Sequence, residues 1–575
     1  MNKKIFVAAA WPYANGSLHL GHISALLGAD IIARYERLAG NEVLYVSGSD
    51  CHGTPIAVEA DRLGVRPLEI AEKYHQEFSD TLIQGLNFSY DLYTKTTTEN
   101  HQKVVQDIFL KLYQKGYIYP KTEKSPYCLK CQRFLPDRYV EGECPFCHFA
   151  KARGDQCDEC GKLLDPSELL SPQCKICGQP PEWRSSEHFF FRLSAFQNYL
   201  NEWVKKSEGW RANAKNFTLN LLKEGLHDRP ITRDLEWGIP VPLPGYEHKR
   251  IYVWFEAVCG YFSASKEWAF RQGQTDLWQK FWLDDSVISF YVHGKDNIPF
   301  HTIIWPAILM AYGGLHLPDY VISSEYLTLE GKQFSKSRHW AVWLPDFLAQ
   351  FDSETLRYYL VAAGPETADA DFTWSEYQIK TNNELISTFG NFIHRTLSLI
   401  KLNFPNGIKL AKKLGEKEEE FLRLTKESFS LVGTAIEKGR FREGFRFILR
   451  LTEEGNRYLN ESSPWKQIKE DRQKAENSLA VVAQVISSLA VLVSPYLPKT
   501  AERIWKMIGF QPSQVKWAYS KYQPFRVEEL KPLYKKIEDS QIENQLSRLK
   551  EESLKEEKGG VKAQEHNSHL TRSNL

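Results

Sequence analysis

Two histidines three residues apart around a glycine, His19 and His22 in "WPYANGSLHLGH" (11–22), are the first residues of this chain whose types and spacing could do chemistry. They follow the apolar run "KIFVAAA", which Pro12, Asn15 and Gly16 break. Around and after them come apolar positions at helical spacing: Leu18, Ile23, Leu26, Leu27, Ile31 and Ile32. The pattern predicts a strand, a loop, and a helix that opens after Ser17 with both histidines in its first turn. In an open α/β sheet such a helix opening offers unpaired N–H groups and a partial positive charge to a phosphate. Imidazoles one turn apart share a face and can donate to a phosphoryl oxygen as its charge rearranges, while Gly21 between them admits a flat ring or a phosphate to the backbone. An isolated HxxH pair also fits half a zinc site or a solvated helix face.

A second cluster lies in "YLTLEGKQFSKSRH" (326–339), a β-like run broken at Gly331 and followed by Ser335, Lys336 and Ser337. A loop of this kind can close over a polyphosphate, with Lys336 as the charge and the two serines as hydroxyl donors. A third chemistry is carried by eight of the ten cysteines, which form four CxxC pairs: Cys128/Cys131, Cys144/Cys147, Cys157/Cys160 and Cys174/Cys177. Each pair has the bite of a tetrahedral zinc and two pairs close a site, so eight thiolates imply two structural zinc ions with no open coordination position. The spacing leaves three ways of pairing the four units. Cys51 and Cys259 read as buried thiols.

These groups need elements to hold them. At 575 residues, 42% hydrophobic and 25% charged, the chain is long and apolar enough for a large core and several domains. A net charge of +1 means that a polyanionic partner must be met by local basic patches. The N-terminal "MNKKIFVAAAW" is too short for a signal peptide and lacks a cleavage site. No apolar run approaches the roughly 18 residues of a membrane span. The paired cysteines suit a reducing compartment, so the expectation is a cytoplasmic protein without a membrane partner. After "DADFTWSEY" the pattern changes to amphipathic helices, with an apolar stripe at Leu385, Ile386, Phe389, Phe392, Ile393, Thr396 and Ile400. Asn391 and Arg395 lie four apart on the other side and can point at one ligand. In "NESSPWKQIK", Ser463 reads as a helix cap, Pro464 as the first helical residue, and Trp465 stands beside it. An aromatic ring with Asn and Arg nearby suits splayed bases of single-stranded RNA. From about 541 the chain reads as a short helix and a charged tail.

"HLGH" and "QFSKS" resemble, in order and spacing, the HIGH and KMSKS signatures of class I aminoacyl-tRNA synthetases. The likeness extends to "GSDCHGTPI" (48–56), "DRPITRDLEWGIPVP" (228–242), "YVWFEAVCGY" (252–261) and "HGKDNIPFHTIIWPA" (293–307). Together these motifs resemble methionyl-tRNA synthetases over nearly the whole chain. The short cysteine-rich insertion argues against the related enzymes for leucine, isoleucine and valine, which carry a long editing insertion.

The resemblance implies a Rossmann-like parallel-sheet catalytic domain split by a zinc-binding insertion, followed by an all-α anticodon-binding bundle. Expected boundaries are 1–117 and 225–323 for the two catalytic halves, 118–224 for the insertion, 324–385 for the KMSKS-like loop and stem-contact region, 386–540 for the bundle and 541–575 for the tail. It implies ATP with Mg2+, methionine and tRNA(Met) as reactants, and a nested zinc pairing with the two middle CxxC units on one ion. His19, His22 and Lys336 are the implied catalytic groups, and Gly21, Gly294, Asp296, Ser335, Lys336 and Ser337 meet ATP. Asp50 takes the substrate ammonium, and Ala10, Trp11, Tyr13, Trp254, Ala257, Tyr261 and His301 surround the amino acid. Asn391, Arg395, Pro464 and Trp465 fall to the anticodon. Lack of a dimerising tRNA-binding barrel implies a monomer. Gln333 stands where the family has the first lysine of KMSKS, with Lys332 beside it. Trp11 replaces a smaller aliphatic residue, with Val258 and Asn297 as candidates to make room for it. A synthetase-like paralogue with another amino acid, or with a non-catalytic RNA-binding role, would show such departures too; the retained His19, His22 and Lys336 weigh for catalysis.

Overall fold

The apolar run at the N-terminus is the strand Lys4–Ala9 (β1), buried along nearly its whole length at the centre of a parallel sheet. The computed structural model describes residues 2–551 apart from 155, 156, 158, 161–163, 336–338, 511–514 and 520–524. From β1 the chain runs through helix Leu20–Leu38 (α1), strand Glu42–Ser49 (β2), helix Thr54–Leu63 (α2), strand Leu92–Lys95 (β3) and helix Glu99–Gln114 (α3). It then leaves the sheet on strand Ile118–Cys128 (β4) and returns on Glu182–Phe191 (β5). Helices Val253–Val258 (α4) and Gly260–Arg271 (α5) precede strands Val287–Gly294 (β6) and Tyr320–Ser324 (β7).

Among the described residues the sheet has five strands in the order β7-β6-β1-β2-β3, every neighbouring pair parallel. Lys4 is in register with Glu42 on one side and Val287 on the other. Strands covered on both faces explain why β1 and β6 read as continuous apolar runs and not as alternating ones. Because α1 leads from β1 to β2 while β6 lies on the opposite flank, a crevice opens at the C-terminal ends of β1 and β6, the place where such sheets hold ligands.

The insertion stands on a two-stranded stalk. β4 and β5 pair antiparallel from Ile118 with Phe191 to Tyr127 with Glu182, a span of about 30 Å at roughly 3.3 Å per residue. Its cysteine-bearing end folds back on α2, where Arg133 and Tyr139 both bond to Asp61, at 3.1 and 2.9 Å.

Beyond the sheet come helix Ser353–Ala363 (α6) and the bundle: Asn391–Asn403 (α7), Glu416–Glu437 (α8), Phe441–Ser462 (α9), Pro464–Glu470 (α10) and Arg472–Val493 (α11). Every residue of α11 from Ser478 to Val493 is buried. By length and composition α11 is apolar enough to cross a bilayer, a run that the sequence reading did not expect, yet 89% of that stretch is buried as the core helix of the bundle. The bundle is joined to α1 by a buried ion pair. Arg357 of α6 reaches Asp30 of α1 at 2.7 Å with both side chains fully buried, and the guanidinium also donates to the carbonyls of Leu86, Pro495 and Tyr496. Burial alone would raise the Asp30 carboxyl, but Arg34 and Arg357 outweigh it and hold it at about 2. Past 541, the helix expected there is continuous with 539–551 and buries Ile542 and Leu549.

Candidate active site

The helix predicted to open after Ser17, at Leu18, opens two residues later at Leu20, with His19 as its cap and His22 as its third residue. The correction has a chemical consequence. The backbone N–H of His19 donates to His22 Nδ1 at 3.0 Å, so that nitrogen is unprotonated and the neutral ring carries its hydrogen on Nε2. The two rings lie 3.9 Å apart between centroids, and His19 is stacked on its other face by Phe334, at 4.6 Å and 5°.

Both histidines border a cleft of about 340 Å3 at the ends of β1 and β6, with Gly21, Gly294 and Asp296 on its wall together with Ala10, Trp11 and Phe334. Tyr326 donates its hydroxyl to Asp296. Lys295 is committed to Glu325 at 2.8 Å and Asp369 at 2.6 Å. Gln333 also lines the cleft, while Lys332 is exposed and sits over the Trp340 ring at 4.5 Å. Ser335 exchanges backbone bonds with Trp340, both 3.0 Å. Lys336 and Ser337 lie outside the described residues.

Beside the cleft the aromatic residues named from sequence converge. Tyr13 meets Trp254 edge-on at 5.5 Å, Trp254 stacks on Phe300 at 4.3 Å, and Ala257 lies one turn further along α4. Tyr261 Oη lies 2.6 Å from His301 Nε2, and both side chains are buried. His301 stands in a π-helical turn, Phe300–Ile304, the wide kind of turn that often marks functional sites. Burial pushes its imidazole down to about 4. Asp50, at the end of β2, is 2% exposed, and its carboxylate takes one long bond, 3.4 Å, from the N–H of His52. Burial first, and Glu256 second, push that carboxyl well above the ordinary range. A buried carboxylate so poorly compensated is suited to a cationic ligand.

Trp11 finds its room at two glycines. A Cβ on Gly48 would stand 2.6 Å from its indole, and one on Gly260 2.9 Å. Neither glycine was singled out from sequence, nor was Phe334, His293 or Glu256; the glycines in "GSD" and "VCGY" were the only available signal.

The cysteines gather into two groups, Cys128, Cys131, Cys174 and Cys177, and Cys144, Cys147, Cys157 and Cys160, which is the nested pairing that the resemblance implied. Sulfur separations of 3.5, 3.9, 3.8 and 3.5 Å across the pairs bracket the roughly 3.8 Å edge of a tetrahedron with 2.3 Å metal–sulfur bonds. On the bundle, Asn391 and Arg395 are exposed as expected, and the Arg395 guanidinium lies 4.5 Å over the Trp465 ring while bonding Asn460 at 3.0 Å. Pro464 is buried as the first residue of α10. Ser463 precedes it with φ 46°, its hydroxyl turned back to the Asn460 carbonyl and not capping the helix.

Comparison with known proteins agrees with this arrangement. A family model described as tRNA synthetases class I (M) matches residues 5–397, and one described as the anticodon binding domain of methionyl tRNA ligase matches 408–553. The methionine--tRNA ligase of Dehalococcoides mccartyi is 50% identical over 553 residues, 96% of this chain and 100% of that one. That of Thermomicrobium roseum is 45% identical over 580 residues, 96% of this chain and 99% of that one. Mycobacterium tuberculosis methionyl-tRNA synthetase in complex with methionyl-adenylate shares the fold, with a TM-score of 0.76 at 23% identity over 92% of this chain and 99% of that one. Identity of this order over full length, with family models covering the sheet, the insertion and the bundle, makes the chain a member of the methionyl-tRNA synthetase family of class I tRNA synthetases.

Proposed function

We propose that this chain is a methionine--tRNA ligase that activates L-methionine with ATP and transfers it to tRNA(Met). The observation that carries the reading is the adjacency of two unlike sites at the ends of β1, β2 and β6: a polar cleft edged by His19 and His22, and an aromatic pocket with buried Asp50. Asp50 pairs with the substrate ammonium, and Ala10, Trp11, Tyr13, Trp254, Ala257, Tyr261 and His301 enclose the side chain. The carboxylate so held attacks the α-phosphate of ATP, whose purine and ribose lie along Gly21, Gly294 and Asp296. Transfer of this kind needs positioning and charge neutralisation more than a protein nucleophile. His22, fixed with its hydrogen on Nε2, donates to a phosphoryl oxygen, His19 braces it, and Lys336 with Ser335 and Ser337 supplies the remaining charge and hydroxyls. Mg2+ accompanies the ATP.

Each cysteine group holds one structural zinc, and the sulfur spacing supports that metal. Asn391, Arg395, Pro464 and Trp465 read the CAU anticodon. The chain acts as a cytoplasmic monomer. ATP–pyrophosphate exchange with each of the twenty amino acids tests the reading: methionine should give the highest kcat/KM. Preference for another amino acid changes the substrate, and no exchange with any makes the chain a non-catalytic relative.

A further inference from the structure

The two cysteine groups differ in how far solvent reaches them. In the flanking group, Cys128 and Cys174 are buried and Cys131 and Cys177 are half-buried. In the middle group Cys144 and Cys157 are buried too, but Cys147 and Cys160 are exposed. Packing explains the contrast. Cys128 ends the stalk strand β4 in register with Arg133, and the N–H of Lys175, inside the second flanking pair, donates to the Tyr139 carbonyl at 2.9 Å. Arg133 and Tyr139 are the residues that bond Asp61 of α2, so the flanking group is held against the body of the protein. Cys131 and Cys177 pack on the apolar cluster that contains Ala57 and Leu135, whereas, among the described residues, Cys147 and Cys160 have no place in it.

In a zinc-loaded arm access decides which sulfur reacts, because charge does not. The thiolate is the reactive form of cysteine, and a closed zinc site of four cysteines is built from thiolates. All eight sulfurs then share the reactive form, and exposure is the remaining requirement for attack on a peroxide. Cys147 also has a partner within reach. Its sulfur lies 3.5 Å from that of Cys157, against 3.8 Å between Cys144 and Cys160, and a small movement of one knuckle brings the closer pair to the roughly 2.05 Å of a disulfide.

We propose that the middle group is a site of reversible oxidation by hydrogen peroxide, at which Cys147 and Cys157 close a disulfide and the group gives up its zinc while the flanking group keeps its own. The proposal rests on each group holding one zinc. The Cys147 thiolate attacks one peroxide oxygen, the O–O bond breaks, and hydroxide leaves, which makes a sulfenic acid. The Cys157 thiolate then attacks that sulfur, the S–O bond breaks, and a second hydroxide leaves. Each sulfur has given up one electron and the peroxide has taken two. Cys144 and Cys160 alone are too few to close a tetrahedral site. A dithiol reductant and zinc reverse the change, so in a reducing compartment it lasts only as long as the oxidant does.

The test starts from the reduced, zinc-loaded full chain, whose metal content is measured first. Hydrogen peroxide is added with the zinc-binding dye 4-(2-pyridylazo)resorcinol present, and samples are alkylated and mapped as peptides. About one zinc per chain should be lost in a separate first phase, with the Cys147 to Cys157 disulfide appearing at the same rate and the flanking cysteines still reduced. Dithiothreitol with added zinc should restore the lost ion. Release of both ions at one rate, or a first disulfide within the flanking group, overturns the proposal. Cys147→Ser combined with Cys160→Ser should abolish the first phase and keep the second, and a first phase that survives in this variant overturns it as well. Failure of the zinc reading is distinguishable, since it shows as fewer than two zinc ions before any peroxide is added.

Discussion

The rings of His19 and Phe334 lie face to face, 4.6 Å between centroids and 5° from parallel. This pair joins the opening of α1 to the strand that leads into the KMSKS-like loop, two segments more than 300 residues apart. Stacked aromatic pairs are worth about 0.5–1.5 kcal/mol beyond their burial. Phe334→Ala should therefore lower the rate of adenylate formation by up to about tenfold, with Phe334→Tyr close to wild type, in single-turnover exchange. With His22 and Lys336 in the transition-state roles proposed for them, His22→Ala and Lys336→Ala should each cost roughly 100-fold or more in rate with less effect on methionine affinity.

Asp50, in its proposed role as partner of the substrate ammonium, should set a pH dependence. Its carboxyl is raised in the folded protein by burial and then by Glu256, so the folded state holds a proton that the unfolded chain releases near about 3.9. Stability is thus lost as pH rises from that value through the raised folded one. The ammonium needs the ionised form, so KM for methionine should climb as pH falls through the raised value while KM for ATP does not follow. Asp50→Asn should abolish methionine-dependent exchange and yet melt at a higher temperature at neutral pH. A lower melting temperature would show that the charge is not the destabilising element.

Arg357 makes the opposite case. Its pair with Asp30 is fully buried and satisfied by three carbonyls. Removing one partner leaves an uncompensated charge, so Arg357→Ala should cost about 3–5 kcal/mol in urea unfolding. Asp30, held at about 2, contributes stability above its unfolded value that is lost as pH falls toward 2; Asp30→Asn should flatten acid unfolding in that range.

Metal removal should be local. About two zinc ions per chain are expected, one for each closed thiolate group. Chelation should unfold the insertion, leave the far-ultraviolet signature of the sheet and bundle, and weaken methionine activation, because Arg133 and Tyr139 lean on α2 just beyond Asp50. Undiminished activity in a metal-free preparation would refute this.

Trp465→Ala should spare adenylate formation and weaken charging of tRNA. Equal loss in both steps would make Trp465 a packing residue.

Local order carries what was legible in the sequence. The strand, turn and helix around His19 and His22, the four CxxC pairs, and the outward face of Asn391 and Arg395 all follow from spacing within a few residues. The helix starts two residues later than the pattern predicts because His19, a poor capping type, and not Ser17 is its cap. What was not legible depends on residues far apart in sequence. The room for Trp11 comes from Gly48 and Gly260, and the brace of His19 from Phe334. Likewise, α11 was not foreseen as a long apolar helix because scattered glutamine and serines interrupt its run; bundle packing buries them.

The stalk of the insertion has a topological consequence. Ile118, where the chain departs, and Phe191, where it returns, are cross-strand partners, and such partners stand only about 4.5–5.5 Å apart. The protein is therefore two closed circuits sharing one gate, and whatever happens beyond the gate need not stretch the chain that builds the sheet. A hairpin turn of two residues could seal it. The insertion is free to grow, shrink or be exchanged without displacing the elements that hold His19, Asp50 and His301, so a shortened protein closed at this gate would separate what the sulfur-bearing arm contributes to the enzyme from what the sheet accomplishes alone.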